Sequence, residues 1–165
     1  MTSYLYRAPA GIAGSITRAG ETTVEPGMLD AAAGTPTAFG QPLKVVAGKF
    51  RLMGAGSVAA DFYGVLSRFT PSISGGLDES FVGGSPNAGS LQGIVTRGYL
   101  NAICGVGTPV RGGAVYVRIV DGGAGKPVGQ YEADADGANS VLVPVLVWAT
   151  DGKDSANNAE LRVAR

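Results

Sequence analysis

The sequence has no histidine and one cysteine, Cys104. Without histidine there is no Ser-His-Asp or Cys-His nucleophile, no histidine-ligated zinc and no imidazole proton shuttle. A single thiol makes neither an internal disulfide nor a multi-thiolate metal site, which excludes a disulfide-stapled secreted scaffold. Cys104 lies in an apolar stretch, residues 100–106, and reads as a small buried residue. No run of about 18 apolar residues occurs, so no transmembrane helix or membrane partner is expected. The N-terminus lacks the basic start and continuous apolar stretch of a signal peptide, so synthesis in a cytoplasm is expected. Charge of one sign is also missing: 13 basic residues balance 13 acidic ones. A nucleic-acid partner needs a basic footprint, and none is present globally.

Glycine and proline are abundant instead, at 27 and nine residues in a chain of 165. That is too many for a helical protein of this size. Length suggests one domain with an appended arm, and the apolar content allows a lean core. The charges are unevenly placed. Residues 44–118 carry seven bases and three acids, whereas residues 121–160 carry two bases and seven acids. Such a chain can present one positive and one negative face, suited to packing against copies of itself or a partner shell.

Residues 1–42 read as an extended N-terminal arm. Prolines at 9, 26, 36 and 42 and scattered glycines break any period, and the apolar residues stand singly. Such an arm buries little surface alone and must lie along another one. Tyr4, Leu5, Tyr6, Arg7, Ile12 and Ile16 are its candidate contacts with a partner or neighbour, because aromatic and arginine side chains are the usual interface anchors.

Residues 43–165 read as a β-domain. Strand-like runs occupy 43–53, 62–69, 91–103, 114–120, 128–133, 140–148 and 159–163. The clearest alternation is at 114–120, where Val115, Val117 and Ile119 share one face. Pro144 donates nothing to a ladder, so the run 140–148 needs an edge or a bulge there. The pairs Asp121-Gly122, Asp136-Gly137 and Asp151-Gly152 supply turns between such runs. The expected fold is mainly β, a small sandwich or barrel. A long Gly/Ser-rich loop at 70–90 is expected on the surface, ordered by a partner.

Motifs that carry chemistry elsewhere fit poorly. Residues 54–59 (GAGSVA) match a dinucleotide-binding pattern, but that fingerprint needs a following helix and Gly64 interrupts it. Residues 122–126 (GGAGK) lack the first glycine and the Ser or Thr of a phosphate loop. Residues 134–139 (DADGAN) start like a calcium loop, yet Asn139 and Val145 stand where an EF-hand needs glycine and glutamate. The carboxylate pairs Asp78/Glu79 and Asp134/Asp136 both lie in turn-like sequence rather than in a recognisable cleft. No catalytic residue, cofactor site or metal site is assigned, and the chain is expected not to be an enzyme.

Several stretches, in order, resemble a known family: KVVAGKFR at 44–51, DFYGVLSR at 61–68, TPVRGGAVYVR at 108–118, GKPVG at 125–129, EADADGAN at 132–139 and NAELRV at 158–163. They are similar to the structural cement, or capsid decoration, proteins of tailed bacteriophages. The resemblance implies a non-enzymatic virion protein on the outer surface of the capsid, made in the host cytoplasm. It implies binding to the major capsid protein lattice, stabilisation of the mature shell, and self-association as a dimer or trimer. An alternative is a carbohydrate-binding or adhesin-like β-module. Its usual sign is a platform of exposed aromatics, whereas Trp148 lies in an apolar run.

Overall fold

The computed structural model describes residues 11–68 and 85–165. Nine strands are found among them: β1 Thr23–Met28, β2 Pro42–Val46, β3 Lys49–Leu52, β4 Phe62–Leu66, β5 Leu91–Val106, β6 Ala114–Arg118, β7 Tyr131–Glu132, β8 Ser140–Trp148 and β9 Asn158–Val163. Helix among the described residues is limited to single 3-10 turns, as the glycine and proline content anticipates.

The 16-residue β5 organises the molecule. From Gly98 onward it pairs antiparallel with β9, which pairs with β8, then β6, then β7. β7 returns to β5 in parallel, with Cys104 opposite Tyr131. The cycle closes a five-stranded barrel, and closure removes exposed sheet edges. Alternation along each strand sends one set of side chains inward. Leu100, Ala102 and Cys104 come from β5, Ala159, Leu161 and Val163 from β9, and Val115 and Val117 from β6, all buried. Tyr131 and Trp148 meet edge to face inside, with ring centroids 6.5 Å apart.

β8 has the irregularity its proline demands. Val143 is buried, but the next buried positions are Leu146 and Trp148, so the inward phase slips by one residue. The register with β6 shifts at the same place, between Ala114 and Tyr116. Pro144 sits exposed in this bulge, where its missing N–H breaks no ladder bond.

The first half of β5 belongs to a second sheet, flanked by β1 on one side and β4 on the other. β2 and β3 continue it. A parallel bridge between Leu29 and Phe50 joins the end of β1 to β3, so this sheet also curls back on itself. Leu29, Leu43, Leu66 and Ile94 form its core, with Phe39, Phe50 and Tyr63 packed against them. Met53, Phe62, Val65 and Val95 belong instead to the larger core, which is continuous with the closed barrel. The run 43–53 thus folds as two strands rather than one bent strand. Ala47 and Gly48 form the turn, both with positive φ, at 50° and 77°.

Within the segment read as an arm, residues 11–42 lie on this body. Ile16 bridges Leu100, and β1 pairs with β5 along its length. β1 holds Pro26 and Gly27, which hide it from a search for strand-like composition. Gly27 faces inward: a Cβ there would lie 2.3 Å from Ile94 Cδ1 and 2.4 Å from the Phe50 ring. Residues 1–10 and 69–84 lie outside the described residues, so Tyr4, Leu5, Tyr6, Arg7 and most of the 70–90 loop do too. The end of that loop is a turn, closed by Ser90 N–H donating to Asn87 O, that leads into β5.

Candidate functional site

β5 crosses from one sheet to the other at Gly98, whose φ is +119°. A Cβ there would sit 2.4 Å from Thr22 Oγ1, so the close approach of residue 22 requires glycine. Thr22 holds the crossing: its hydroxyl accepts from Tyr99 N–H and donates to Arg18 O. Beside this crossing lies a groove of about 350 Å³, lined by residues 20–23, 97–99 and 162–165.

Three arginines line the groove, Arg97, Arg162 and Arg165. Tyr99 is flanked by the guanidiniums of Arg18, 4.0 Å from the ring centroid, and Arg162, 5.7 Å from it. Arg18 is fixed by a two-point pair with Glu160, at 3.1 and 2.9 Å. Burial works to raise the Glu160 carboxyl, but hydrogen bonds from Arg18 and Thr17 outweigh it and hold the carboxyl below its ordinary range. Arg165 donates to Phe62 O at 2.5 Å and lies over the Tyr63 ring. The Arg97 side chain makes no hydrogen bond or ion pair among the described residues.

That contrasts with arginines elsewhere. Arg51 pairs with Asp30 at 2.6 Å, and Arg111 pairs loosely with Asp151. Arg118 is fully buried and contacts two acids: it donates to Glu132 at 2.6 Å and to Asp136. Burial opposes the Arg118 charge, but these hydrogen bonds overcome it and keep the guanidinium protonated. The hydrogen bond from Arg118 in turn holds the Asp136 carboxyl below its usual value. This cluster is structural. It spans the end of β6, β7 and the turn before β8.

The remaining sequence motifs resolve into turns. At residues 54–59, Ser57 N–H donates to Gly54 O, and the Ser57 hydroxyl accepts from Gly54 N–H and Lys44 Nζ. One 3-10 turn, Ala59–Asp61, follows in place of a nucleotide-binding helix. Residues 122–126 close a hairpin turn through paired backbone bonds between Gly122 and Lys126 and from Lys126 to Gly123. Asp136 turns inward to Arg118 while Asp134 is exposed, so the two carboxylates do not converge. Among the described residues no group of three His, Cys, Asp or Glu is placed to hold a metal. Cys104 is fully buried, and burial pushes its thiol up. Trp148 is fully buried too, so it forms no part of an exposed aromatic platform. Of the candidate arm contacts, Ile12 is half-buried and Ile16 packs against the core of its own barrel.

Reading along the chain missed Arg97, Tyr99, Arg162 and Arg165. The only signal was the i, i+2 spacing of Arg97 and Tyr99 within a strand-like run. Their meeting with Arg162 depends on the pairing of β5 with β9, which sets Tyr99 opposite Arg162.

The fold defines a mainly β protein in which a closed five-stranded barrel and a second, curled sheet share β5. The family is specific: the chain belongs to the XM1 gp53 minor capsid protein family, whose model matches residues 1–163. It is therefore a structural component of a phage capsid and associates with other capsid components. A chain from the solved capsid of Myoviridae phage XM1 shares the fold. The TM-score is 0.70 at 14% identity, covering 100% of this chain and 98% of that one. No curated protein matches the sequence.

Proposed function

We propose that the chain is a non-enzymatic head decoration protein. It binds the outer surface of the major capsid protein lattice and stabilises the mature shell. The observation that carries this reading is the family match across residues 1–163, which includes both barrels and the N-terminal stretch. Two physical features support it. The closed five-stranded barrel leaves fewer strand edges for pairing with unrelated chains, which favours many copies coexisting at high local concentration. Repeated weak contacts in a lattice then add up to firm attachment. The N-terminal stretch with Tyr4, Leu5, Tyr6 and Arg7 supplies contacts to the shell or to a neighbouring copy in a dimer or trimer. Ile12 and Ile16 lie at its root on the barrel.

The test is to mix the purified protein with mature, undecorated heads and image them by cryo-electron microscopy. Regular density on the outer lattice is expected, together with a higher temperature of DNA release. Bare heads at saturating protein would refute the reading.

A further inference from the structure

We propose that the pocket between residues 37–41 and the barrel wall is the seat of Tyr6 of the same chain, so that the N-terminal stretch folds back on its own barrel in the free protein. The inference concerns the chain before it meets any shell and does not rest on the decoration reading.

The described structure begins at Gly11, which lies against Asn101: a Cβ on Gly11 would sit 2.3 Å from Asn101 Nδ2. Leu100, Ala102 and Cys104 point into the barrel, so Asn101 and Ile103 share the outward face of β5. Ile103 is therefore one step along that face from the Gly11 contact, about 7 Å. The turn that follows is closed by Ser15 N–H donating to Ile12 O. It brings Gly14 against Phe39, where a Cβ would sit 2.8 Å from Phe39 Cβ. Ile103 and Phe39 both line a pocket of about 120 Å³. The chain thus enters the described structure at the rim of this pocket.

The pocket lacks what a tyrosine carries. Phe39, Ile103 and Pro127 give it apolar walls, and Gln41 and Gln130 are its amides. Gln41 is already engaged: it accepts from the Thr37 and Ala38 N–H groups and donates to Val128 O. Gln130 lies across Gly105, where a Cβ would come within 1.9 Å of its Oε1. That oxygen is buried and has no hydrogen-bond partner among the described residues. A buried acceptor left unmet costs stability until a donor reaches it. The volume suits one aromatic ring, since a cavity of about 150 Å³ accepts benzene. Reading back from Gly11, the first large apolar residue is Tyr6, after Ala10, Pro9, Ala8 and Arg7. Five residues span at most about 17 Å, more than the pocket requires. The Tyr6 ring fills the apolar walls and its hydroxyl donates to Gln130 Oε1. The tether also selects the copy. So short a link holds Tyr6 at an effective concentration of order millimolar, and the tyrosine of a second copy competes only at a comparable bulk concentration.

Nuclear magnetic resonance on the isotope-labelled full chain tests this. The Tyr6 ring should give nuclear Overhauser contacts to the Ile103 methyls and the Phe39 ring. An isotope-filtered spectrum of labelled and unlabelled chains mixed in equal parts should show no such contacts between copies. Tyr6→Ala should lower the melting temperature by about 2–6 °C. Tyr6→Phe keeps the ring and loses the donor, and should fall between Tyr6→Ala and the parent. Tyr4→Ala should leave the Tyr6 contacts and the melting temperature unchanged. A Tyr6 ring without contacts in the pocket would overturn the inference. So would contacts found only between copies, or a Tyr6→Ala variant that melts with the parent. Bare heads in the decoration experiment would leave this seat standing, and its loss would leave decoration standing.

Discussion

Arg118→Met is the sharpest test of how the closed barrel is held together. Arg118 and Glu132 are both fully excluded from solvent, and their Nε–Oε1 distance is 2.6 Å. The other Glu132 oxygen, Oε2, is buried and has no hydrogen-bond partner among the described residues. Removing the guanidinium therefore leaves a fully buried carboxylate in the barrel wall without its counter-ion. Breaking one side of a buried pair costs about 3–5 kcal/mol. For a chain of this length each kcal/mol moves the melting temperature by about 2–4 °C, so a drop of about 6–20 °C is expected. Asp136, with a side chain 37% exposed, can turn to water and adds little to the loss. The decisive companion is Arg118→Met/Glu132→Met. It removes both charges and should recover most of the stability, because no ion is left to bury. Urea denaturation at neutral pH reads both variants, with the slope of the transition expected to stay constant. A single variant as stable as the parent, or a double variant no better than the single, would refute the electrostatic reasoning.

Further outcomes follow from particular positions. Trp148→Ala empties the centre of the barrel beside Tyr131 and should cost about 3–5 kcal/mol in the same denaturation assay. Gly98→Ala meets both a φ of +119° and Thr22, and should destabilise by about 2 kcal/mol or more, measured as a shift in denaturation midpoint. Ala47→Gly relieves a left-handed φ of 50° in the β2–β3 turn and should raise stability by about 0.5–1 kcal/mol. Asp30, Asp136 and Glu160 are all held below their ordinary values. Asp30 is lowered by the Ala32 N–H and then Arg51, Asp136 by Arg118, and Glu160 by Arg18 and Thr17 against burial. Groups depressed in the folded state stabilise it above their unfolded values and cease to as pH falls through the folded ones. Melting temperature should therefore be level from about pH 6 to 8, where no histidine titrates, and fall below about pH 4. A loss between pH 6 and 8 would contradict this assignment.

Much of the β-domain was legible because its signals are local. Alternation at Val115 and Val117 marks an inward face that needs no knowledge of partners, and the structure buries both. Pro144 predicts a break in β8 for a reason contained in one residue, its missing N–H, and the ladder shifts there. β1 was not legible. Its Pro26 and Gly27 are poor strand formers, and the segment is extended because β5 offers it an edge. The run 43–53 carries one glycine, and composition alone does not distinguish a bend from a hairpin. That choice was made by β2 pairing with both β3 and β4.

The groove shows where local information ends. Arg97 and Arg162 stand 65 positions apart, and nothing in their neighbourhoods separates them from any solvated arginine. They line one groove because β5 is long enough to serve two sheets and turns at Gly98 where one ends and the other begins. The sequence by itself determined an all-β chain without imidazole chemistry, since residue inventory and strand period are properties of the residues. The tertiary structure decided which charges are paired inside and which stay on the surface, since ion pairing depends on distances that only strand pairing brings about.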